Sequence, residues 1–231
     1  MIPPLLPENE SERLQSLAEH NLLDTLPEEV YDDITRLAAE ICGTPIAAIN
    51  LIAGDRQWSK SVHNELGESL SLHHYMRGPR EHSFCAHTIL NPDETMVVPD
   101  ARFDERFQGN PLTVSDPHII FYAGVPVKDA EDRALGSLCV IDSRPRELSD
   151  LKLESLKALA KLVNTHFQLR HSNIQLEKAQ EQVRAAQPIL HSLTTTIDLL
   201  GTRLPGEEAH LLHTLQQGVN SLKDLLNTPQ K

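Results

Sequence analysis

From Arg146 to Leu200 the sequence contains no glycine and a single proline, Pro188. Glycine and proline are the residues that interrupt helices, so a stretch of this length without them predicts one long helix. Reading every seventh residue from Leu162 gives Leu169, Leu176, Val183, Leu190, Ile197 and Leu204, without a polar interruption. Three residues after each of the first six, Thr165, Ser172, Ala179, Ala186, Leu193 and Leu200 are small or apolar. A heptad sustained this far keeps one seam facing a partner helix and predicts a coiled coil. Nothing else in the chain is long enough to cover that seam, so a second copy is the expected partner.

Gly201-Thr202-Arg203-Leu204-Pro205-Gly206 then breaks the helix, and Leu212, Leu215, Val219, Leu222 and Leu226 resume a three-four spacing. This predicts an antiparallel hairpin over 188–231. Two helices alone bury too little apolar surface to be stable, and dimerisation into a four-helix bundle is the natural solution. Pro188 removes one backbone hydrogen bond and predicts a bend near the start of the hairpin.

The formal net charge of −12 and the absence of a Lys/Arg stripe argue against nucleic acid and against anionic lipid as partners. No segment has the roughly 20 consecutive apolar residues that span a bilayer. The opening Met-Ile-Pro-Pro-Leu-Leu-Pro lacks the order of a secretory signal, so a cytoplasmic protein is expected. Cys42, Cys85 and Cys139 are odd in number and widely spaced, which reads as buried reduced thiols.

Residues 1–8 read as an extended lead-in. Asn9 to Glu12 start a helix with Leu14, Leu17 and Ala18 on its inner face. A second helix is expected with Thr25 as cap, Pro27 in the first turn, an apolar face of Val30, Ile34, Leu37, Ala38 and Ile41, and Gly43 as its stop. From Pro45 to Asp142 short β-prone runs alternate with Gly, Pro, Asn and Asp. Strands are predicted over 46–52, 56–62, 95–98, 120–127 and 135–141, with a short helix over 83–90 and two long irregular stretches, 64–80 and 101–118. Sequential hairpins imply a mainly antiparallel sheet covered by helices, an α/β (α+β) class.

The segment from Leu72 to His87 holds His73, His74, His82, His87 and Cys85. The spacing matches no zinc half-site, and no metal is expected. Cys85 and His87, two apart on a helix, point in different directions and cannot form a nucleophile–base pair. No lysine–serine phosphate loop is present, and Arg77 and Arg80 read as a solvated loop.

Asp24-Thr25-Leu26-Pro27-Glu28, Arg56-Gln57-Trp58-Ser59-Lys60, Ser83-Phe84-Cys85-Ala86-His87, Asn110-Pro111-Leu112, Phe121-Tyr122-Ala123-Gly124 and Leu135-Gly136-Ser137-Leu138-Cys139-Val140-Ile141-Asp142 together resemble the GAF domains that precede histidine kinase and diguanylate cyclase modules in bacteria. The resemblance implies a sensory domain over 9–168, a coiled-coil linker over 150–187, and an antiparallel sheet with a small-molecule pocket roofed by the two long loops. It places Trp58, Phe84, Cys85, His87, Phe121 and Tyr122 at or beside that pocket. The ligand itself stays unknown: such domains bind cyclic nucleotides, tetrapyrroles, haem or nitrate. Bilin-binding relatives commonly carry histidine directly after the attachment cysteine; here Ala86 intervenes, and covalent attachment is not expected.

Leu190-His191-Ser192-Leu193-Thr194-Thr195-Thr196-Ile197 is similar to the phosphoacceptor box of histidine kinases, with Ser192 at the acidic position and Thr196 at the proline. His191 follows a seam residue directly and is expected on the outside of the bundle, as a phosphoacceptor. The resemblance implies a non-catalytic signalling protein without an ATP-binding domain, a homodimer that regulates a response regulator or a sensor kinase. Two other readings stand beside it: a thiol or redox enzyme using Cys85, with Cys139 approaching across the sheet, and a passive dimerisation scaffold with an empty pocket.

Overall fold

The computed structural model describes the chain except residues 66–76, 202–206 and 228–231. It divides into two units, residues 1–171 and 172–231. In order, the elements are α1 (Glu10–Glu19), α2 (Glu29–Cys42), β1 (Ile46–Ile52), β2 (Gln57–Asn64), a 3₁₀ turn (Arg80–His82), α3 (Phe84–Thr88), β3 (Met96–Val98), α4 (Pro111–Val114), β4 (Phe121–Lys128), β5 (Ala134–Asp142), α5 (Asp150–Gly201) and α6 (Glu207–Asn227).

The strands form a five-stranded sheet in the order β2-β1-β5-β4-β3, antiparallel at every pairing. Alternate residues of β1 go to opposite sides. Ala47, Ile49 and Leu51 join a core with α1, α2 and the first turns of α5, while Ile46, Ala48 and Ile52 join a second core with α3 and the loops around it. Covering both faces explains why the strands read as nearly continuous apolar runs.

Helix faces depart from the apolar stripes read in the sequence. On α1 the buried residues are Arg13, Ser16 and Leu17, and Ala18 is exposed. Arg13 is accepted inside because its guanidinium donates to Glu10 and to the Ile52 carbonyl at 2.7 Å. Arg80 is likewise buried rather than solvated: it donates to the same Glu10 carboxylate and to the Ala53 carbonyl at 3.1 Å. Burial raises the Glu10 carboxyl's pKa, and the two guanidiniums outweigh that and hold it below its usual range. This Arg–Glu–Arg triad fastens α1 to the turn between β1 and β2.

Thr25 does not cap α2, which starts at Glu29 after Glu28; its hydroxyl donates instead to the Leu22 carbonyl. The buried face of α2 is Tyr31, Ile34, Thr35, Ala38, Ala39 and Cys42, leaving Leu37 and Ile41 exposed. On the buried face Thr35 is bonded to Ser61 of β2 at 2.9 Å. Gly43 ends the helix in the left-handed conformation, φ 68°, as its lack of a Cβ allows.

Helix α5 buries Leu156, Leu159, Ala160, Val163 and Phe167 against the sheet. Near the end of this unit Arg170 holds the α1–α2 connection, donating to the His20 carbonyl at 3.2 Å, the Asn21 carbonyl at 3.0 Å and Glu28 at 2.9 Å. The heptad residues Leu162, Leu169 and Leu176 lie on a different face and are 50, 54 and 57% exposed.

In the second unit α5 continues through Pro188, and α6 returns beside it, with Gln216 donating to Asp198 at 2.6 Å. Val183 is half-buried, and Leu190 and Ile197 are buried; Leu204 lies outside the described residues. No helix among the described residues is long and apolar enough to cross a membrane.

Candidate functional site

Between α3 and the sheet, polar side chains gather inside an otherwise apolar core. Ser83 caps α3 by accepting from the Ala86 amide at 3.0 Å and is itself anchored through Gln57 at 2.6 Å. That cap sets the helix so that Phe84 and Cys85 face inward, both fully buried. Phe84 stacks on Phe107, with centroids 3.8 Å apart and planes 8° from parallel. The neighbouring strands β1, β5 and β4 contribute Asn50, Ser137, Cys139 and Tyr122, each without solvent exposure.

The sulfur of Cys85 lies 3.9 Å from that of Cys139. Asn50 Nδ2 donates to both, at 3.2 Å to Cys85 and 3.5 Å to Cys139. Its amide is oriented from the other side by Ser59, whose hydroxyl donates to Asn50 Oδ1. Tyr122 donates to Cys85 at 3.4 Å and also meets Thr88 at 2.8 Å and Ser137 at 3.2 Å. The phenol reaches this position because residue 124 is glycine; a Cβ there would collide with the Tyr122 ring and hydroxyl.

Burial alone pushes the Cys85 thiol up, but hydrogen bonds from Cys139, Ser137, Tyr122 and Asn50 outweigh it and bring the thiol down to about 7. Cys139 moves the other way, well above the usual thiol range, through its bond to Cys85 and its burial. Burial and the neighbouring sulfurs also raise the Tyr122 phenol. The two sulfurs and the phenol therefore titrate together, with Cys85 the first to release its proton.

Of the six residues expected at a pocket, five divide between the two cores. Phe84, Cys85 and Tyr122 lie together on this side of the sheet, while Trp58 and Phe121 are buried on the opposite side with α2 and α5. Two-residue alternation along β4 separates Phe121 from Tyr122. His87 points away from Cys85: its ring meets the edge of Phe107 at 5.0 Å and its Nε2 lies 3.2 Å from the Ile2 carbonyl. Burial first, with Arg106 beside it, lowers His87 to about 4. The segment before α1, which has no regular secondary structure over residues 1–7, is tied down by Ile2 N–H to the Arg106 carbonyl at 3.0 Å and the Met1 amine to the Gln108 carbonyl at 3.1 Å. His73 and His74 lie outside the described residues. Asn50, Ser59, Thr88 and Ser137 were not singled out as site residues. Asn50 carried a signal, being the polar break in the apolar run of β1.

The second long stretch, 101–118, contains the single helical turn α4 and lines an open cleft of about 710 Å³ with Arg102, Gln108, Gly109, Thr113, Val114 and His118. The Thr113 hydroxyl is buried there without a hydrogen-bond partner.

A sequence profile for the family described as GAF domain matches residues 26–167. The chain belongs to the GAF domain family. It is 37% identical over 175 residues to a cyclic di-GMP phosphodiesterase of Pseudomonas aeruginosa, covering 75% of this chain and 28% of that protein. The chain thus spans little more than a quarter of this curated relative. Solved structures similar to it include the domain of a putative two-component sensor histidine kinase protein from Sinorhizobium meliloti 1021, at 16% identity and TM-score 0.47, covering 67% of this chain and 97% of that one. A putative GAF sensor protein from Burkholderia vietnamiensis matches at 14% identity and TM-score 0.48, covering 71% and 98%. The GAF match encloses β1 to β5, the whole core on the α3 side and the first turns of α5, so the Cys85–Cys139 cluster belongs to the GAF domain itself.

Proposed function

We propose that this protein is a GAF-domain signalling module that passes a change on the α3 side of its sheet through α5 to a helical hairpin, which pairs with a second copy. The observation that carries the reading is the division of α5. Leu156, Val163 and Phe167 are locked in the sheet's core, while Leu162, Leu169 and Leu176 on another face are half exposed at heptad spacing. One helix is thereby tied to the sensor and left with an apolar seam to bury. In this reading Phe84, Cys85, His87 and Tyr122 border the ligand site, and Trp58 and Phe121 act on it only through the sheet.

Exchanging Leu169 for cysteine tests the pairing, because a residue at a parallel seam faces its own copy. Oxidation should give a covalent dimer on a denaturing gel, and light scattering should give a dimer mass without oxidation. A monomer mass at every concentration, with no crosslink, removes the seam from the argument.

The output is proposed as regulation of a two-component partner, a response regulator or a sensor kinase. Its support is the phosphoacceptor-like run at Leu190 to Ile197 and the exposure of His191. Incubation with a phosphorylated regulator should place acid-labile label on the chain. Label that persists unchanged in His191→Ala sinks this part. The identity shared with the Pseudomonas aeruginosa protein supports a second reading, control of cyclic di-GMP turnover by a similar sensor region. Purified chain that alters a phosphodiesterase's hydrolysis of cyclic di-GMP but accepts no phosphoryl group would select it.

A further inference from the structure

The Cys85–Cys139 contact has a chemistry that neither the dimer seam nor His191 uses. Cys85 is carried on a five-residue helix and Cys139 on the central part of a strand paired on both sides, yet their sulfurs stand 3.9 Å apart with no solvent exposure. Their surroundings are organised about sulfur. Ser59 fixes the Asn50 amide so that its NH₂ faces both sulfurs, and Tyr122 directs its hydroxyl at Cys85. Donors aimed at a sulfur favour its thiolate, the form that reacts with oxidants. The third cysteine, Cys42, sits in the other core, and burial there raises its thiol.

We propose that Cys85 and Cys139 form a reversible dithiol–disulfide couple that is oxidised by hydroperoxides. The Cys85 thiolate attacks the terminal oxygen of the hydroperoxide, the O–O bond breaks, and the alkoxide or hydroxide released takes up a proton. Cys85 is left as a sulfenic acid. The sulfur of Cys139 then attacks that of Cys85; the S–O bond breaks, an S–S bond forms, and the departing hydroxide leaves as water with the Cys139 proton. In sum two thiols lose two electrons and two protons, and with hydrogen peroxide the products are one disulfide and two waters.

The S–S bond is about 2.05 Å long, so closing it from 3.9 Å brings the two sulfurs together by about 1.9 Å. The short helix α3 is the element free to move, because β5 is held between β1 and β4. Moving α3 disturbs the Phe84–Phe107 stack and the His87 contact with Ile2, which changes how the lead-in is held. Hydrogen peroxide is little larger than water and reaches Cys85 through local opening of α3, so oxidation is slow beside that of an exposed thiol.

The test uses the full chain exposed to hydrogen peroxide, then unfolded and alkylated. Counting alkylated thiols should give one in place of three, with a mass lower by about 2 Da before alkylation. Dithiothreitol should restore all three, and digestion should link the Cys85 peptide to the Cys139 peptide. That linkage is read on the unsubstituted chain, so it survives any folding failure of a cysteine variant; Cys42→Ser should give the same linkage. Three free thiols after peroxide, oxygen adducts on Cys85 without a linkage, or crosslinks through Cys42 would each overturn the proposal. The result is independent of the oligomeric state and of label on His191.

Discussion

Exchanging Asn50 for aspartate changes one atom group, NH₂ to O, in the driest part of the site. The Ser59 bond to Oδ1 is retained, but two N–H donors facing the sulfurs are lost. A protonated carboxyl keeps one O–H donor and gives up one weak bond, a loss of about 1 kcal/mol. An ionised one would sit without a cation among Cys85, Cys139 and Tyr122, at a cost of several kcal/mol, so the group keeps its proton. Its folded pKa therefore lies far above the value near 3.9 of the unfolded chain. The sign follows: the full stability is present below pH ~4 and is lost as pH rises towards the folded pKa, because only the unfolded chain has released the proton. The loss is about 1.4 kcal/mol per pH unit, or about 4 kcal/mol between pH 4 and 7. Urea unfolding followed by the fluorescence of Trp58, which is buried in the opposite core, reads the global transition. Relative to the unsubstituted chain, the midpoint should fall by about 2 M more at pH 7 than at pH 4 for a slope near 2 kcal/mol/M. A difference independent of pH would refute the reasoning, since it would mean that water or a cation reaches the carboxylate.

Other outcomes follow from the same geometry. Gly124→Ala should cost about 1–3 kcal/mol in urea unfolding, because the new methyl displaces a Tyr122 hydroxyl fixed by Thr88 and Ser137. Gly136→Ala should cost more, since its methyl meets the Asn50 carbonyl of the adjacent strand, and backbone cannot swing aside. With Cys85 held at about 7 against an ordinary 9, its contribution to stability is present above pH 9 and lost as pH falls to 7. Stability should thus rise across that window by at most about 1.4 kcal/mol per unit, and the slope should disappear in Cys85→Ser. Arg170→Ala should cost only about 1 kcal/mol, because its partner Glu28 is partly exposed. Its effect should appear instead as faster amide exchange of residues 163–171, where the last turns of α5 in this unit lose their hold on the α1–α2 connection.

The strands were legible because they rest on local pattern, whereas a packed core on the second face, where a ligand pocket was expected, was not. Five apolar runs bounded by Gly, Asn and Asp, four of them joined in two hairpins through short polar turns, imply an antiparallel sheet, while the β1–β5 pairing that sets the order β2-β1-β5-β4-β3 has no local signal. The inner faces of α1 and α2 were legible only in part: Leu17, Ile34 and Ala38 are buried as read, and the rest of each face is turned. Apolar periodicity gave Ala18, Leu37 and Ile41 an inward place, whereas the fold buries Arg13, Ser16 and Thr35. Each of those three is bonded to a residue distant in sequence: Ile52, Asp129 and Ser61. A polar residue can take a core position when a partner arrives from elsewhere, and no local window contains that partner.

The same limit governed the site. Cys85 carried a signal, and the alternative redox reading brought Cys139 towards it across the sheet, but the donors to the sulfurs, Asn50, Tyr122 and Ser137, come from three different strands. Asn50 is set by a slip in the β1–β2 register between Ile49 and Asn50, which places Ser59 opposite it. Tyr122 depends on a glycine two residues on, and Ser137 and Cys139 share one face of β5 by simple alternation. None of these residues is unusual where it stands. Their meeting is a property of the order β2-β1-β5-β4, which lays the middles of three strands beneath one short helix. A redox or ligand site built in this way can be lost by changing register or a glycine while Cys85 itself is untouched. The variants at Gly124 and Gly136 therefore test the chemistry of the sulfurs as directly as substituting either cysteine.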